Sequence, residues 1–427
     1  MQRAIGVPPH DVGEGAAPVD PEIPMGGRGR VFHHVPLCGS SRPFFGRSRG
    51  RHRPAQGYDY KSLTNYRRLI NLLLTPGHKE PGTPPAPGPT RPGPPTSEMT
   101  TMTFPLRSLL LGTVFGAAAL PATAQTAWDM PTPYGDTVFH TQNITAFADD
   151  VRDATDGALD ITVHSAGSLF GHPEIKDAVR RGLAPIGEIL LSRLANENAV
   201  FEADSIPFLA DSYADARLLW DASRPAVEEL LAEQGLTLLY AVPWPGQSLY
   251  LTEEVTDPDA LQGVTFRAYN TATEELANLL GMVPTQVEAG DIPTAFATGG
   301  VAAMMTSPST GVSSQAWDFT NVYVDVNAWL PKNVVFVNTD ALNALSEDQQ
   351  AALLEAAAAA EARGWEMSEA ETETQIATLS ENGMSVVAPS EAMSAALASA
   401  GATMVEAWLD RAGEAGAAIL EAYQPAD

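Results

Sequence analysis

A short apolar segment at 263–266, Gly-Val-Thr-Phe, ends in the basic residue Arg267. The segment predicts a β-strand, and ligands of α/β proteins bind beyond the carboxyl ends of strands. A guanidinium group at such a position can hold a carboxylate through two parallel, charge-assisted hydrogen bonds. Arg267 is therefore the first candidate for a ligand anchor. The alternative is an arginine that is exposed or paired within the protein.

The charge of the chain strengthens the case for a local cation. Residues 1–98 contain 13 Lys and Arg against 7 Asp and Glu, whereas residues 125–427 contain 11 against 45, a formal net charge of −34. Surface charges are screened beyond about 8 Å at physiological salt, so an acid repelled at long range must be held at short range. The acidic part also lacks the basic footprint that nucleic-acid binding requires, and anionic membrane surfaces are disfavoured for the same reason.

Four further polar residues lie at or near the ends of predicted elements: Gln247, Asn270, Thr306 and Ser307. Gln247 can hydrogen-bond a carbonyl or hydroxyl group of a ligand, or be an ordinary loop residue. The hydroxyl groups of Thr306 and Ser307 can contact a ligand or begin the next helix, since Ser and Thr are common helix caps. Asn270 has the same two interpretations.

Glu188 follows a short strand predicted at 184–186. Its carboxylate can orient Arg267 or accept a hydrogen bond from a hydroxyl or amine group of a ligand. It can instead be an acidic residue at the start of a helix, favoured there by the helix dipole and paired with the nearby Arg193.

Four aromatic residues near strand ends or segment junctions are candidates for an apolar pocket wall. They are Tyr134, Trp244, Tyr269 and Trp317. Each is individually more typical of a protein core, but as a group they indicate a ligand with an apolar or aromatic body.

The residue inventory argues against an enzyme. We find no H-E-x-x-H, G-x-S-x-G or P-loop motif and no paired carboxylates. Five of the eight histidines precede residue 99, His164 and His172 are isolated, and His140 lies on the first predicted helix, where it can face a cleft. The single cysteine, Cys38, leaves residues 125–427 without a disulfide, a thiolate metal site or a Cys nucleophile. We predict no catalytic residue, cofactor or metal ligand.

The first 124 residues have a different character from the rest. Residues 76–95 are a Pro- and Gly-rich tract that cannot bury a core. Met99 or Met102 then begins a secretory signal pattern with Arg107, an apolar run at 108–120 and a small-residue cleavage site before Gln125. We expect residues 1–98 to be a disordered upstream segment outside the native protein, 99–124 to be a signal peptide, and 125–427 to be the mature periplasmic chain.

Strands and helices alternate through the mature chain. Apolar residues at helical spacing predict a helix over 137–155, and a capping box at 346–349 opens an Ala- and Glu-rich helix that runs to about Asn382. Seven segments have the apolar pattern of strands: 158–164, 184–186, 236–244, 260–270, 283–289, 301–307 and 384–389. This alternation predicts α/β sheets.

Four segments together carry a family resemblance. They are FADDVRDATDGALDITVHSAGSLFG, DSIPFLADSYADA, LQGVTFRAYNTATEELANLLGMVPTQVEAGDIPTAFATGGVAAM and WLPKNVVFVNTDALNALSEDQQAALLEAA. In this order and spacing, over essentially all of 126–425, they resemble the DctP-type extracytoplasmic solute-binding proteins of TRAP transporters.

The resemblance implies an α/β, two-domain periplasmic binding protein (Venus-flytrap) fold whose cleft closes on a ligand. It places one domain at 126–244 plus 332–371 and the other at 245–331 plus 372–427, with a long helix spanning both. It matches Arg267 to the arginine that clamps the ligand carboxylate in the family. It also makes Trp329 and Asn333, in WLPKN, candidates to reach the cleft from a hinge strand.

Two positions depart from the family pattern. Sialic-acid binders of the family carry a second arginine near Gln247, and PWPGQSLY has none, which disfavours a sialic acid. MMTSPST at 304–310 replaces the common Val-Asp-Gly-x-Glu pattern.

The sequence thus predicts a periplasmic binding protein that captures a small organic acid and delivers it to the small and large TRAP membrane subunits. A 2-oxo, a 2-hydroxy and an aromatic monocarboxylate all fit. Two alternatives stay open: a binding protein that serves a sensor or an ABC-type importer, and a periplasmic lyase that uses Glu188 or His140.

Overall fold

Apolar strands and the helices between them organise the part of the chain that the computed structural model describes, residues 125–424. The predicted upstream segment 1–98 and the predicted signal peptide 99–124 lie outside these residues. Within 125–424, no helix combines the length and apolar character needed to cross a membrane.

Eleven strands form in the described range. They are β1 (Thr126–Pro131), β2 (Leu159–His164), β3 (Ile186–Leu190), β4 (Leu236–Pro243), β5 (Ser248–Leu251), β6 (Thr265–Ala268), β7 (Val283–Gln286), β8 (Ala303–Thr306), β9 (Val322–Val324), β10 (Lys332–Asn338) and β11 (Ser385–Val387). They make a two-stranded sheet β1-β2, a three-stranded sheet in the order β3-β10-β4, and a six-stranded sheet in the order β11-β9-β5-β8-β6-β7.

Nine α-helices lie among these strands in the same range. They are α1 (Phe139–Ala154), α2 (His172–Arg180), α3 (Tyr213–Ala232), α4 (Thr271–Leu279), α5 (Ile292–Ala297), α6 (Pro308–Ser313), α7 (Thr339–Asn343), α8 (Glu347–Glu381) and α9 (Glu391–Ala422). Short 3-10 turns at Leu191–Leu194, Ala199–Ser205, Pro258–Leu261, Ala289–Asp291 and Ala316–Asp318 complete the connections.

The first domain is built on the two smaller sheets. β10 lies between β3 and β4 and runs antiparallel to both. β3 and β4 therefore point the same way, and their carboxyl ends lie at one edge of the sheet together with the amino end of β10. All five residues of β3 are buried, as expected for a strand covered on both faces.

The second domain is built on the six-stranded sheet. β8, β6 and β7 are neighbours and run parallel, and β5 runs antiparallel to β8. The carboxyl ends of β6, β7 and β8 therefore meet the amino end of β5 at one edge. Residues that end or immediately follow these strands lie close together there.

The long helix α8 spans both domains, as the family resemblance implies. It has 35 residues and begins at the predicted capping box, 346–349. In the first domain, Asn143 Nδ2 donates to the carbonyl of Ala360, at 3.0 Å. Further along the same helix, Glu371 Oε2 accepts a hydrogen bond from Ser309 Oγ of the second domain, at 2.9 Å. A single rigid element thus contacts both halves of the fold.

The predicted helices and strands are present, and the bounds of most of them agree within two or three residues. One strand, however, lies further along the chain than predicted. The sequence pattern placed a strand at 184–186, whereas β3 is Ile186–Leu190. Glu188 therefore lies in the middle of this strand and not after its end. Its polar partners, described below, allow a carboxylate inside a buried strand. β1, β5 and β9 are absent from the predicted set.

Candidate functional site

The edges of the two larger sheets face each other across a cavity whose empty space, part of which is open to solvent, is about 420 Å³. Most of its wall consists of residues at or just beyond the ends of strands. The wall residues are Tyr134, His172, Leu190, Trp244, Gln247, Arg267, Tyr269, Glu288, Ala289, Thr306, Ser307, Thr310 and Pro331. The fold thus brings seven of the twelve residues that the sequence proposed for ligand binding to one place.

Arg267 lies on β6 and is only 3% exposed. Its Nε atom donates to the carbonyl oxygen of Val287, at 2.9 Å. Within residues 125–424 its two terminal nitrogens have neither a hydrogen-bond acceptor nor an ion-pair partner, and the residue faces the cavity. Burial lowers the pKa of the guanidinium to about 10, so it keeps its charge at neutral pH. A buried cation with free donors is suited to an anionic ligand.

Tyr269 supports this guanidinium group from below. Arg267 Cζ lies 4.8 Å from the centre of the Tyr269 ring, in cation–π geometry. The Trp329 indole N–H donates to the Tyr269 hydroxyl at 3.3 Å, and that hydroxyl donates to Gln247 Oε1 at 3.1 Å. Gln247 Nε2 in turn donates to the carbonyl of Pro245, at 2.9 Å. The Gln247 amide therefore serves mainly to hold the tyrosine.

The opposite wall is aromatic and comes from the first domain. The rings of Tyr134 and Trp244 meet edge to face with their centroids 5.0 Å apart. Asn333 Oδ1 accepts from both the Tyr134 hydroxyl, at 3.2 Å, and the Trp244 indole N–H, at 2.9 Å. Asn333 lies behind the wall and orients these two rings, so its predicted direct contact with the cleft is replaced by an indirect role. Burial raises the pKa of Tyr134 well above its usual value, which keeps the phenol neutral.

The end of β8 supplies hydroxyl groups to the cavity. Thr306 is the last residue of the strand, and Ser307 is the N-cap of α6. Ser307 Oγ accepts from the backbone N–H of Thr310, at 3.1 Å, and donates to Thr310 Oγ1, at 3.2 Å. Ser307 therefore lines the cavity and also begins the next helix, so both of its sequence interpretations apply.

Glu288 lies two residues beyond β7 and joins the two domains. Arg193 NH2 donates to Glu288 Oε1 at 2.8 Å, and His172 Nδ1 lies 3.2 Å from Glu288 Oε2. Arg193 NH1 also donates to the backbone carbonyl of Tyr269, at 2.6 Å. Burial alone would raise the pKa of Glu288, but His172 and the charges of Arg193 and Arg267 lower it below its usual value. The carboxylate is therefore ionised at neutral pH.

The hydrogen bonds of His172 define its tautomer. The backbone N–H of Leu190 points at Nε2, at 3.2 Å, so this nitrogen is the acceptor. Nδ1 then carries the proton and donates a hydrogen bond to Glu288. Burial lowers the pKa of His172, with Glu288 opposing the shift, so the imidazole is neutral.

Glu188 is placed apart from the cavity, and its predicted contact with Arg267 is wrong. Its Oε2 atom accepts from Thr132 Oγ1 at 2.7 Å, and its Oε1 atom lies 3.5 Å from His140 Nδ1. The carboxylate lies inside the first domain because β3 places it mid-strand. Arg193 pairs with Glu288 and not with Glu188, which corrects the second expectation for this residue.

Asn270 and Trp317 also lie outside the cavity wall. Asn270 is the N-cap of α4: its Oδ1 atom accepts from the backbone N–H of Thr273 at 2.9 Å, and its Nδ2 atom donates to Ser192 Oγ at 2.8 Å. The helix-cap interpretation therefore applies. Trp317 packs against the core cluster of the second domain around Phe296 and Met304.

Sequence reasoning missed three polar residues of this site: His172, Glu288 and Thr310. His172 was set aside as isolated because its partners come from distant parts of the chain. Glu288 follows β7, which pairs in parallel with the strand that carries Arg267. The rule that placed Arg267 at a strand end therefore applies to Glu288 as well.

Between 125 and 424 no group of three or more His, Cys, Asp or Glu side chains is arranged to hold an ion.

Comparison with known proteins gives one consistent result. Residues 134–411 match the DctP family, described as bacterial extracellular solute-binding protein, family 7. No curated protein sequence matches the chain. Among solved structures, two Bordetella pertussis extracytoplasmic solute receptors binding pyroglutamic acid are similar to it. DctP6 is 40% identical, with a TM-score of 0.69, and the match covers 70% of this chain and 99% of that one. DctP7 is 43% identical, with a TM-score of 0.69 and coverage of 70% and 100%.

A third similar structure comes from a marine metagenome. It is a TRAP solute-binding protein specific for pyroglutamate, in complex with co-purified pyroglutamate. It is 43% identical, with a TM-score of 0.69, and the match covers 70% of this chain and 98% of that one.

Proposed function

The chain belongs to the DctP family of bacterial extracellular solute-binding proteins, and on this premise we propose that it captures a small monocarboxylic acid, pyroglutamate, in the cavity between its domains. Three similar structures of 40% to 43% identity bind this compound. Pyroglutamate is a five-membered lactam with a single carboxylate, so it combines one negative charge with a compact apolar ring.

One observation carries this proposal: Arg267 is a buried cation whose terminal N–H groups face the cavity without a protein acceptor. Burying an unpaired charge is unfavourable, so such a group is retained where a ligand neutralises it. The aromatic wall of Tyr134 and Trp244 gives an apolar surface for a ring on the opposite side.

Isothermal titration calorimetry of residues 125–427 tests the ligand. The panel contains pyroglutamate, glutamate, proline, glucuronate and orotate, so that ring, charge and size vary separately. We expect pyroglutamate to bind at least about 100-fold more tightly than the others, which is about 2.7 kcal/mol. Tighter binding of a sugar acid or of orotate would refute the assignment of pyroglutamate.

Delivery to a TRAP permease is the second part of the proposal. Closing the cleft on the acid would create the form that the small and large membrane subunits recognise. We expect vesicles that contain the small and large TRAP subunits of the source organism to take up labelled pyroglutamate only when the binding protein is added. Uptake with an ABC-type importer in place of those subunits, or activation of a sensor by the ligand-bound protein, would favour the alternative.

We further propose that the protein binds its acid without converting it. The residues that a lyase would use, Glu188 and His140, lie behind the cavity wall and contact each other, at 3.5 Å. Magnetic resonance spectra of pyroglutamate incubated with the protein should show the unchanged compound. The appearance of a ring-opened or eliminated product would instead establish an enzyme.

Export is proposed from the signal pattern at 99–124. Cleavage after Ala124 would release the chain from Gln125 into the periplasm. N-terminal sequencing of the protein recovered from the periplasm should begin at Gln125. A start well before Met99 would contradict this.

A further inference from the structure

Glu288 has partners that hold it in place and leave it free to act on a ligand. Its two carboxylate oxygens accept from Arg193 and from His172, one each. A carboxylate has about four lone-pair sites, so two remain after these bonds are formed. The side chain is 35% exposed and belongs to the cavity wall. It can therefore accept further hydrogen bonds from a molecule in the cavity.

The two partners of Glu288 are themselves occupied by protein groups. His172 uses Nε2 to accept from the backbone of Leu190 and Nδ1 to donate to Glu288. Arg193 uses NH1 on the carbonyl of Tyr269. These bonds come from the first domain and fix the carboxylate of the second domain in one orientation. Such pre-organisation is what a selective hydrogen-bond acceptor requires.

The other polar residues of the wall mainly donate or are already engaged. Arg267 has donors and no acceptor. Gln247 Oε1 accepts from Tyr269, and Ser307 Oγ accepts from the backbone of Thr310. Among the wall residues that the structure describes, Glu288 is the one anionic acceptor. An N–H group of a ligand thus finds its strongest partner there.

The charges near the cavity limit what can bind beside Glu288. Arg267 is cationic and free, whereas the charge of Glu288 is balanced by Arg193. A single ligand carboxylate bound to Arg267 would neutralise the remaining positive charge. A second carboxylate or a lone-pair oxygen next to Glu288 would be repelled. The cavity is therefore complementary to an acid that carries one charge and a separate N–H donor.

From these contacts we infer that Glu288, held by Arg193 and His172, is a specificity-determining residue that accepts a hydrogen bond from the N–H group of the bound acid and rejects analogues that lack it. The inference rests on the proposed function. It adds that the cavity recognises the N–H group of the ligand as well as its carboxylate.

A pair of isosteric ligands tests the inference on the unmodified protein. The first is pyroglutamate and the second is the lactone in which a ring oxygen replaces the lactam N–H. Both have one carboxylate and the same ring carbonyl. We expect the lactam to bind about 10- to 150-fold more tightly in calorimetry, the range for a hydrogen bond to a charged group. Equal affinity would overturn the inference and leave the proposed function intact, whereas binding of neither compound would overturn both.

A variant with a matched control locates the effect. Glu288→Gln keeps the shape of the side chain and adds an N–H donor that suits the lactone oxygen. We expect its lactam-to-lactone ratio to fall to within about 3-fold, because the donor-selective acceptor is lost. The control is Glu275→Gln, since Glu275 also pairs with an arginine, Arg411 at 3.4 Å, but does not line the cavity.

The control should keep the wild-type ratio. A Glu288→Gln protein that keeps it too would overturn the inference. Because each ratio compares two ligands on the same protein, a change in stability of the variant does not alter its meaning. The melting temperature of each ligand-free variant should also be measured.

Discussion

Two buried charged residues, Arg267 and Glu188, have opposite environments in this molecule. Arg267 is 3% exposed and Glu188 is 2% exposed, so burial alone does not distinguish them. Glu188 Oε2 accepts a hydrogen bond from Thr132, and Glu188 Oε1 lies 3.5 Å from His140 Nδ1, within the first domain. Arg267 has a protein acceptor on Nε, and its terminal nitrogens face a cavity.

The difference teaches how to separate a structural charge from a binding charge. When the protein itself satisfies a buried charge, removal of that charge leaves its partners unsatisfied and lowers the stability of the fold. A buried charge that the protein leaves partly unsatisfied beside a cavity destabilises the empty protein and is compensated by a ligand. Substitution of the first class should therefore lower stability and spare ligand affinity, whereas substitution of the second class should lower ligand affinity and spare stability.

The largest expected effect is on affinity at Arg267. Arg267→Met keeps the apolar stem and removes the charge and its donors. We expect the affinity for pyroglutamate to fall by at least about 30-fold, since truncating one partner of a buried charge pair costs about 2–5 kcal/mol. Calorimetry measures the affinity, and differential scanning calorimetry should show an unchanged or higher melting temperature for the ligand-free variant.

A surface arginine provides the control for this variant. Arg180→Met changes an exposed residue that pairs with Asp177. It should leave both affinity and stability close to wild type. If Arg267→Met retained full affinity, the cation would be structural and the comparison with Glu188 would fail.

The second effect is on stability at Glu188. Glu188→Ala removes the acceptor of the Thr132 hydroxyl and leaves a buried polar space. We expect the free energy of unfolding to fall by about 1–3 kcal/mol, the range for an unsatisfied buried group. Urea denaturation measures this loss, and the affinity for pyroglutamate should change less than about 3-fold. A large loss of affinity in a folded variant would place Glu188 in the binding site after all.

A third prediction concerns pH and His140, which lies beside Glu188. Burial lowers the pKa of His140, and Glu188 opposes the shift. The unfolded chain therefore takes up this proton at a higher pH than the folded chain does. The stabilising contribution is full above about pH 6.5, the ordinary histidine pKa, and is lost as the pH falls through the folded value. Stability should thus decrease on acidification.

His140→Asn tests this by removing the titrating ring. Urea denaturation at about pH 7 and about pH 5.5 should show a smaller difference for the variant than for wild type. Its affinity for pyroglutamate at about pH 7 should match that of wild type. An unchanged pH dependence would show that His140 does not couple protonation to folding.

The smallest effect is expected at Asn270, which caps α4. Asn270→Ala should lower stability by about 1 kcal/mol, the typical value of an N-cap side chain. Ser390→Ala offers a comparison at the N-cap of α9, where Ser390 Oγ accepts from the backbone N–H of Met393. Thermal unfolding should show similar losses in both variants. A marked loss of pyroglutamate affinity in Asn270→Ala alone would return this residue to the ligand site.

Much of the fold follows from local patterns in the sequence. The alternation of apolar strands and helices, with glycines at helix ends, is enough to predict α/β sheets and the long helix. The strand that carries Glu188 was misplaced because an apolar run gives no sign of its own register when one polar residue is buried inside it. The residue bounds of the two domains, predicted at 244, 331 and 371, stay a prediction.

The cavity was predicted as far as strand ends could be recognised. Arg267 and Thr306 were found because each stands at the end of a visible strand. His172 and Glu288 lie 116 residues apart and meet only when the two domains are assembled. Local sequence periodicity does not predict such a long-range contact. It also does not predict that Asn333 lies behind the aromatic wall.

The most direct test of the central claim is a calorimetric comparison of pyroglutamate with its neutral carboxamide on wild-type protein. The two compounds share the ring and the N–H and differ in the negative charge that Arg267 is proposed to bind. We predict that the acid binds at least about 30-fold more tightly than the amide. Equal binding of the two compounds, or binding of the amide alone, would contradict the account.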